Sequence, residues 1–125
     1  MLSDARYDTA LPCSDLERAK AFYAEKLGLT PTGEQPAGLI YEGGDGTLFL
    51  LFPSGGSASG SHSQMAFVVA DLDAEVRDLK QRGVQFEEYD FPGFDKETGI
   101  AQTGEDRGGW FKDSEGNLLG IIQRR

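Results

Sequence analysis

Apolar positions along this chain fall into two alternating periods, and the same succession occurs twice. A strand-like run from Tyr7 to Pro12 leads into the polar pair Ser14-Asp15. Beyond it Leu16, Ala19, Phe22, Tyr23 and Leu27 recur on one face of a helix predicted over Asp15 to Leu27. Ser14 and Glu17 have the spacing of a capping box, and Gly28 is a stop signal. Strand-like pieces near Thr30 to Gln35, Gly38 to Glu42 and Thr47 to Phe52 follow, separated by Pro36 and by the turn-forming Gly43-Gly44-Asp45-Gly46. The second succession runs as a strand from Ser63 to Val69, a helix from Asp71 to Arg82 with Leu72, Val76 and Leu79 inward, and a strand from Val84 to Tyr89. Trp110-Phe111 and Leu118 to Gln123 flank the turn composition Asp113-Ser114-Glu115-Gly116-Asn117 and predict a closing hairpin.

This duplication divides the chain into module one at 1–53, a connector at 54–62 and module two at 63–125 within a single domain. The stretch Pro53 to Ser61, rich in Gly and Ser, has little to pack and is expected to be mobile. Asp90 to Gly109 carries Pro92 and several glycines and is a candidate lid. Asp73 with Arg77 and Asp78 with Arg82 are the expected solvent-face pairs of the second helix. Two similar half-sheets must bury their apolar faces together, and such halves commonly enclose a cavity, which is where function is sought.

Charge narrows the partners. The chain has 125 residues, with 21 acidic against 12 basic side chains and a formal net charge of −9, and no basic stripe interrupts the acidic excess. Nucleic acid and anionic lipid are therefore poor partners. No apolar stretch is long enough to span a bilayer, and the first residues lack the run of a secretory leader, so the expected location is cytoplasmic. The single cysteine, Cys13, has no internal disulfide partner and reads as a small buried apolar residue. His62, the single histidine, reads as a solvated loop residue beside the connector. There is no G-x-S-x-G, and no phosphate-binding glycine motif before a lysine.

Four segments carry a family pattern: Asp15-Leu16-Glu17-Arg18-Ala19-x-x-Phe22-Tyr23-x-x-x-Leu27-Gly28-Leu29, Phe67-Val68-Val69-x-Asp71-Leu72-Asp73, Arg82-Gly83-Val84, and Trp110-Phe111-Lys112-Asp113-x-Glu115-Gly116-Asn117. In order and spacing they resemble the vicinal oxygen chelate superfamily of glyoxalase I, extradiol dioxygenases, fosfomycin-resistance enzymes and bleomycin-binding resistance proteins. The resemblance implies an α+β fold in which two βαβββ modules form a curved mixed sheet around a cleft, with the helices outside. It does not settle function, because members include metal-dependent enzymes as well as proteins that only bind a drug.

In the metal-dependent members, ligands project from the first strand of each module and from a closing strand. The resemblance carries these positions onto Asp8, Gln64, Gly120 and Phe49, or Leu50 if the register slips. Asp8 and Gln64 offer oxygen; Gly120, Phe49 and Leu50 offer no donor. A catalytic divalent site needs about three protein ligands, so no metal and no other cofactor is expected. A third carboxylate borrowed from Glu42, Asp90 or Asp106 is the alternative.

Strand alternation sets Asp8, Ala10 and Pro12 on one side, with Gln64, Ala66 and Val68, and on the same count Phe49, Leu51, Leu118, Gly120 and Ile122. Small residues at Ala10, Ala66 and Gly120 would leave room for a ligand or permit tight sheet packing. Trp110, Phe94, Tyr41 and Tyr89 are candidate walls or core. Arg107 is a candidate anion clamp or a surface residue. The expected site is therefore Asp8, Ala10, Phe49, Leu51, Gln64, Ala66, Trp110 and Gly120 around a small molecule, in a homodimer. The expected function is metal-free ligand binding of the drug-binding or sequestering kind. The alternatives are a lyase or isomerase with an atypical metal site or with Asp8 as general base, and an interaction module with a filled cleft.

Overall fold

Each strand predicted ahead of an Asp-Leu pair forms the edge of its own sheet, paired in parallel with the last strand of its module. The computed structural model describes residues 1–124. Module one consists of β1 (Thr9–Cys13), α1 (Leu16–Leu27), β2 (Gly33–Gln35), β3 (Gly38–Glu42) and β4 (Leu48–Pro53), in the sheet order β1-β4-β3-β2. Module two consists of β5 (Ser63–Val68), α2 (Leu72–Gln81), β6 (Phe94–Asp95), β7 (Ile100–Thr103), β8 (Asp106–Lys112) and β9 (Leu118–Gln123), in the order β5-β9-β8-β7-β6. The architecture is α+β, with two helices and two open mixed sheets, and the parallel pairs β1 with β4 and β5 with β9 mark the repeat.

Both helices begin on the Asp of the repeated pair. The carboxylate of Asp15 accepts from the Arg18 amide at 3.1 Å and that of Asp71 from the Ala74 amide at 3.1 Å. The capping box expected at Ser14 and Glu17 does not form: Asp15 is the N-cap, its N3 residue is Arg18, and Ser14 is engaged elsewhere. At the other end of α1, Gly28 takes the left-handed conformation at φ +71°, which lets the Leu29 amide reach the Tyr23 carbonyl at 2.9 Å.

The helices lie on one face of the sheets, and a single core unites the modules. Leu11, Tyr23, Leu51, Leu72, Phe111 and Leu119 are all buried within it. Phe49 of module one meets Phe67 of module two edge to face, with centroids 6.3 Å apart.

The closing hairpin holds the two halves together. Its tip, Asp113 to Asn117, plugs into module one. The Tyr23 hydroxyl donates to Asp113 Oδ2 at 2.7 Å, and Asn117 Nδ2 donates to the Pro12 carbonyl at 3.0 Å and to Asp113 Oδ2 at 2.8 Å. Glu115 sits at the start of α1, where Oε1 accepts from the amides of Ser14 and Asp15, each at 3.0 Å, and Oε2 accepts from Arg18 Nε at 2.8 Å. This seat is what removes Ser14 from capping. The Arg18 guanidinium, aided by the Ser114 hydroxyl and the two amides, holds the Glu115 carboxyl down at about 2 against the desolvation that opposes it.

Three sequence expectations are corrected. Val84 to Tyr89 forms no strand; Phe86 makes one bridge to Phe111, and the Glu87 amide reaches the Trp110 carbonyl at 2.8 Å. The edge of β8 from Asp106 to Gly108 is already paired with β7, which leaves only its far half for this segment. Half of the candidate lid Asp90 to Gly109 lies in β6, β7 and the start of β8. Gly93 serves close approach: it has φ +94°, and a Cβ there would fall 2.6 Å from the Gln102 carbonyl oxygen. Asp73 pairs with Arg107, in two hydrogen bonds of 2.8 and 3.0 Å, and not with Arg77. Arg107 accordingly ties β8 to the first turn of α2 and is not an anion clamp. The Asp78 to Arg82 pair forms at 3.0 Å.

Candidate functional site

Residues paired across neighbouring strands share a sheet face. Ala10 is opposite Leu50, and Pro12 is opposite Phe52; in module two Ala66 is opposite Gly120, Val68 is opposite Ile122, and Gly120 is also opposite Trp110. All of these lie on the face away from the helices. Ala10, Ala66 and Val68 are exposed there, Val68 at 62 %.

The count along β4 needs correction. Phe49 is opposite Thr9 and Leu51 is opposite Leu11, so both point to the helix side and are buried in the core. Phe49 stacks on Tyr41 at 4.8 Å with the planes 5° apart, and Tyr41 is likewise a core residue, not a cleft wall. Leu50 takes the place assigned to Phe49. Burial pushes the Tyr41 phenol up to about 12, and its buried hydroxyl has no hydrogen-bond partner.

Module two builds a concavity on the open face. A depression of about 310 Å³ is lined by Tyr89, Phe91, Trp110 and Leu118 and closed on one side by Ser61, His62 and Ser63. Tyr89 and Trp110 meet at 5.5 Å with their planes 87° apart, Phe91 and Trp110 at 6.5 Å and 69°. Phe94 supports Tyr89 at 5.8 Å. Gly120 lies under the indole: a Cβ there would be 3.6 Å from Trp110 Nε1 and 3.4 Å from the Ala66 methyl. The small residues at 66 and 120 therefore let the indole lie close to the sheet.

The connector also has a role at this rim. Gly60 packs against the Lys112 side chain, and His62 Nδ1 lies 3.1 Å from the Ser59 hydroxyl. His62 is an exposed loop residue, as expected, and it also lines the rim of the depression. Leu118 is on the face where alternation put it, while Phe91, Ser61 and Ser63 are additional; the spacing Tyr89-x-Phe91-x-x-Phe94 is the signal available for Phe91.

Asp8 precedes β1, is 49 % exposed and lies 3.7 Å from Arg6. It is not beside Phe49, so the burial that the general-base reading needs is missing. Gln64 is the extra residue of a bulge between Ser63 and Met65, and its Oε1 is buried without a partner. The donors for a divalent cation do not fit: one exposed carboxylate already near an arginine, one amide, and Leu50 and Gly120 where further ligands would stand. Among the described residues no three His, Cys, Asp or Glu side chains converge. Among the described residues no helix is long and apolar enough to cross a membrane.

Paired strand-helix modules, helices on one face and an aromatic-walled concavity on the other, define a two-module protein of the glyoxalase type. The chain belongs to the Glyoxalase/Bleomycin resistance protein/Dioxygenase superfamily, whose family model matches residues 8–121. It is 29 % identical to the uncharacterized protein YurT of Bacillus subtilis (strain 168), over 93 % of this chain and 96 % of that one. The structure of TnmS3, an antibiotic binding protein from Streptomyces sp. CB03234, superposes with a TM-score of 0.69 at 26 % identity, covering 98 % of both chains. A glyoxalase/bleomycin resistance protein from Catenulispora acidiphila DSM 44928 superposes at 0.72 with 19 % identity, covering 98 % of this chain and all of that one, a likeness of fold.

Proposed function

We propose that this protein binds a small planar organic molecule on its open face, without a metal ion and without chemically converting it. The observation that carries the reading is the depression walled by Tyr89, Phe91 and Trp110. Flat aromatic faces at steep mutual angles contact a planar ligand on more than one side, and such pockets are mostly apolar with few polar anchors. Ser61, His62 and Ser63 at the edge of the depression supply the polar anchors. The likeness to TnmS3, an antibiotic binding protein, supports a drug-binding or sequestering role.

In this reading the site is completed by a second copy of the chain. Ala10, Ala66 and Val68 leave an apolar face open on both modules, which a homodimer would cover. The buried lone cysteine is in keeping with a reducing, cytoplasmic setting. Calorimetric titration with planar and cationic compounds, on protein shown by elemental analysis to carry no stoichiometric metal, is expected to give saturable binding without product. Turnover that requires a divalent cation would refute the proposal. Sedimentation at micromolar concentration is expected to show a dimer, and a monomer would refute the shared site.

A further inference from the structure

A second concavity lies on the opposite face of the module-two sheet. It measures about 150 Å³ and opens between the end of α1 and the edge of α2 that carries Glu75 and Leu79. Leu27 and Leu29 form one wall, Leu79 the other, and Phe67, Phe111 and Ile121 the floor, with Val69 at one end. Glu75, in the first turn of α2, is the one polar residue lining it. An apolar space of this size holds about one aromatic ring. Phe67 and Ile121 are directly paired across β5 and β9, while their neighbours Ala66 and Gly120 face the other way. The slot is therefore separate from the depression beside Trp110.

The charges around it are asymmetric. Glu75 is exposed and makes no hydrogen bond or ion pair from its carboxylate among the described residues. Arg82 lies two helical turns, roughly 10 Å, further along α2, where it pairs with Asp78 and lies against Gly28. Lys26 lies against Gly83 at that same far end. The near end thus presents an unneutralised anion next to an apolar hole, in a chain of net charge −9.

We propose that this slot is a second ligand site, taking the single ring of an arylalkylamine with its ammonium group on Glu75. The inference is independent of the function proposed for the open face. The test is a titration of the intact protein followed by methyl and indole NMR, with phenethylamine, phenethyl alcohol and phenylacetate as probes. Phenethylamine is expected to shift the methyls of Leu27, Leu79 and Ile121 saturably, at roughly millimolar concentration for a ligand of this size, while the Trp110 indole signal stays in place. Phenylacetate should bind more weakly than the neutral alcohol. Glu75→Gln should weaken the amine about 2- to 5-fold, the range of an exposed ion contact, and leave the alcohol unchanged. Val69→Phe, or Leu29→Phe if the first does not fold, should fill the slot and remove binding of both. Absence of saturable shifts at these methyls, shifts confined to Trp110, or an amine-to-alcohol ratio unaltered by Glu75→Gln would overturn the proposal.

Discussion

Replacing Glu115 with Gln should loosen the joint between the modules and remove a defined part of the acid sensitivity of the fold. The carboxylate is 1 % exposed, and its strongest partner is the Arg18 guanidinium, itself 52 % exposed. Its ionisation is lowered from 4.5 to about 2 in the folded protein. An acid whose folded value lies below its unfolded one stabilises the fold above the unfolded value. That stabilisation is lost as pH falls from 4.5 toward 2. Converted at 1.4 kcal/mol per tenfold, the difference is worth about 3 kcal/mol, an upper figure because Gln retains one acceptor for the Ser14 and Asp15 amides. Urea unfolding of the wild type and of Glu115→Gln at pH 7 should therefore differ by about 1–3 kcal/mol. The two should converge as the pH approaches 2, because the other carboxylates titrate alike in both proteins. A variant within about 0.5 kcal/mol of wild type at neutral pH, or a difference that does not shrink with acid, would refute the ion-paired seat as a stabilising joint.

Tyr23→Phe removes a 2.7 Å hydrogen bond to the buried Asp113 and should destabilise by about 1.5–3 kcal/mol in the same assay. Tyr41, raised to about 12 by burial, should stay un-ionised in the folded protein between pH 10 and 12 while the unfolded chain ionises. Stability should thus fall as pH rises through that window, and Tyr41→Phe should flatten the fall. Trp110→Ala should weaken ligand binding about tenfold or more with little change in melting temperature, whereas Phe49→Ala, a core truncation, should destabilise by about 3–5 kcal/mol.

How far the sequence went can be seen residue by residue. The repeated Asp-Leu pairs and Gly28 located both helices, because a cap and a left-handed stop are local and depend on the residue itself. The phase of β4 did not emerge: Leu48 to Phe52 is uniformly apolar, and alternation without contrast cannot say which residues face the core. That is why Phe49 and Leu51 were assigned to the cleft. The bulge at Gln64 leaves no mark in composition either, yet beyond it Ala66 and Val68 face the open side as alternation predicts. Glycines between Asp90 and Gly109 suggested mobility, whereas they serve strand turns and the approach of β8 to its neighbours, contacts fixed by distant partners. The seat of Glu115 on α1 joins residues about a hundred positions apart and was invisible for the same reason.

The most direct test of the account is fluorescence titration of Trp110, the single tryptophan, with planar compounds, in the presence and absence of a strong chelator. A saturable change is expected that the chelator leaves intact and that Trp110→Ala weakens when binding is followed calorimetrically. Binding that disappears on chelation and returns with an added divalent cation would contradict it.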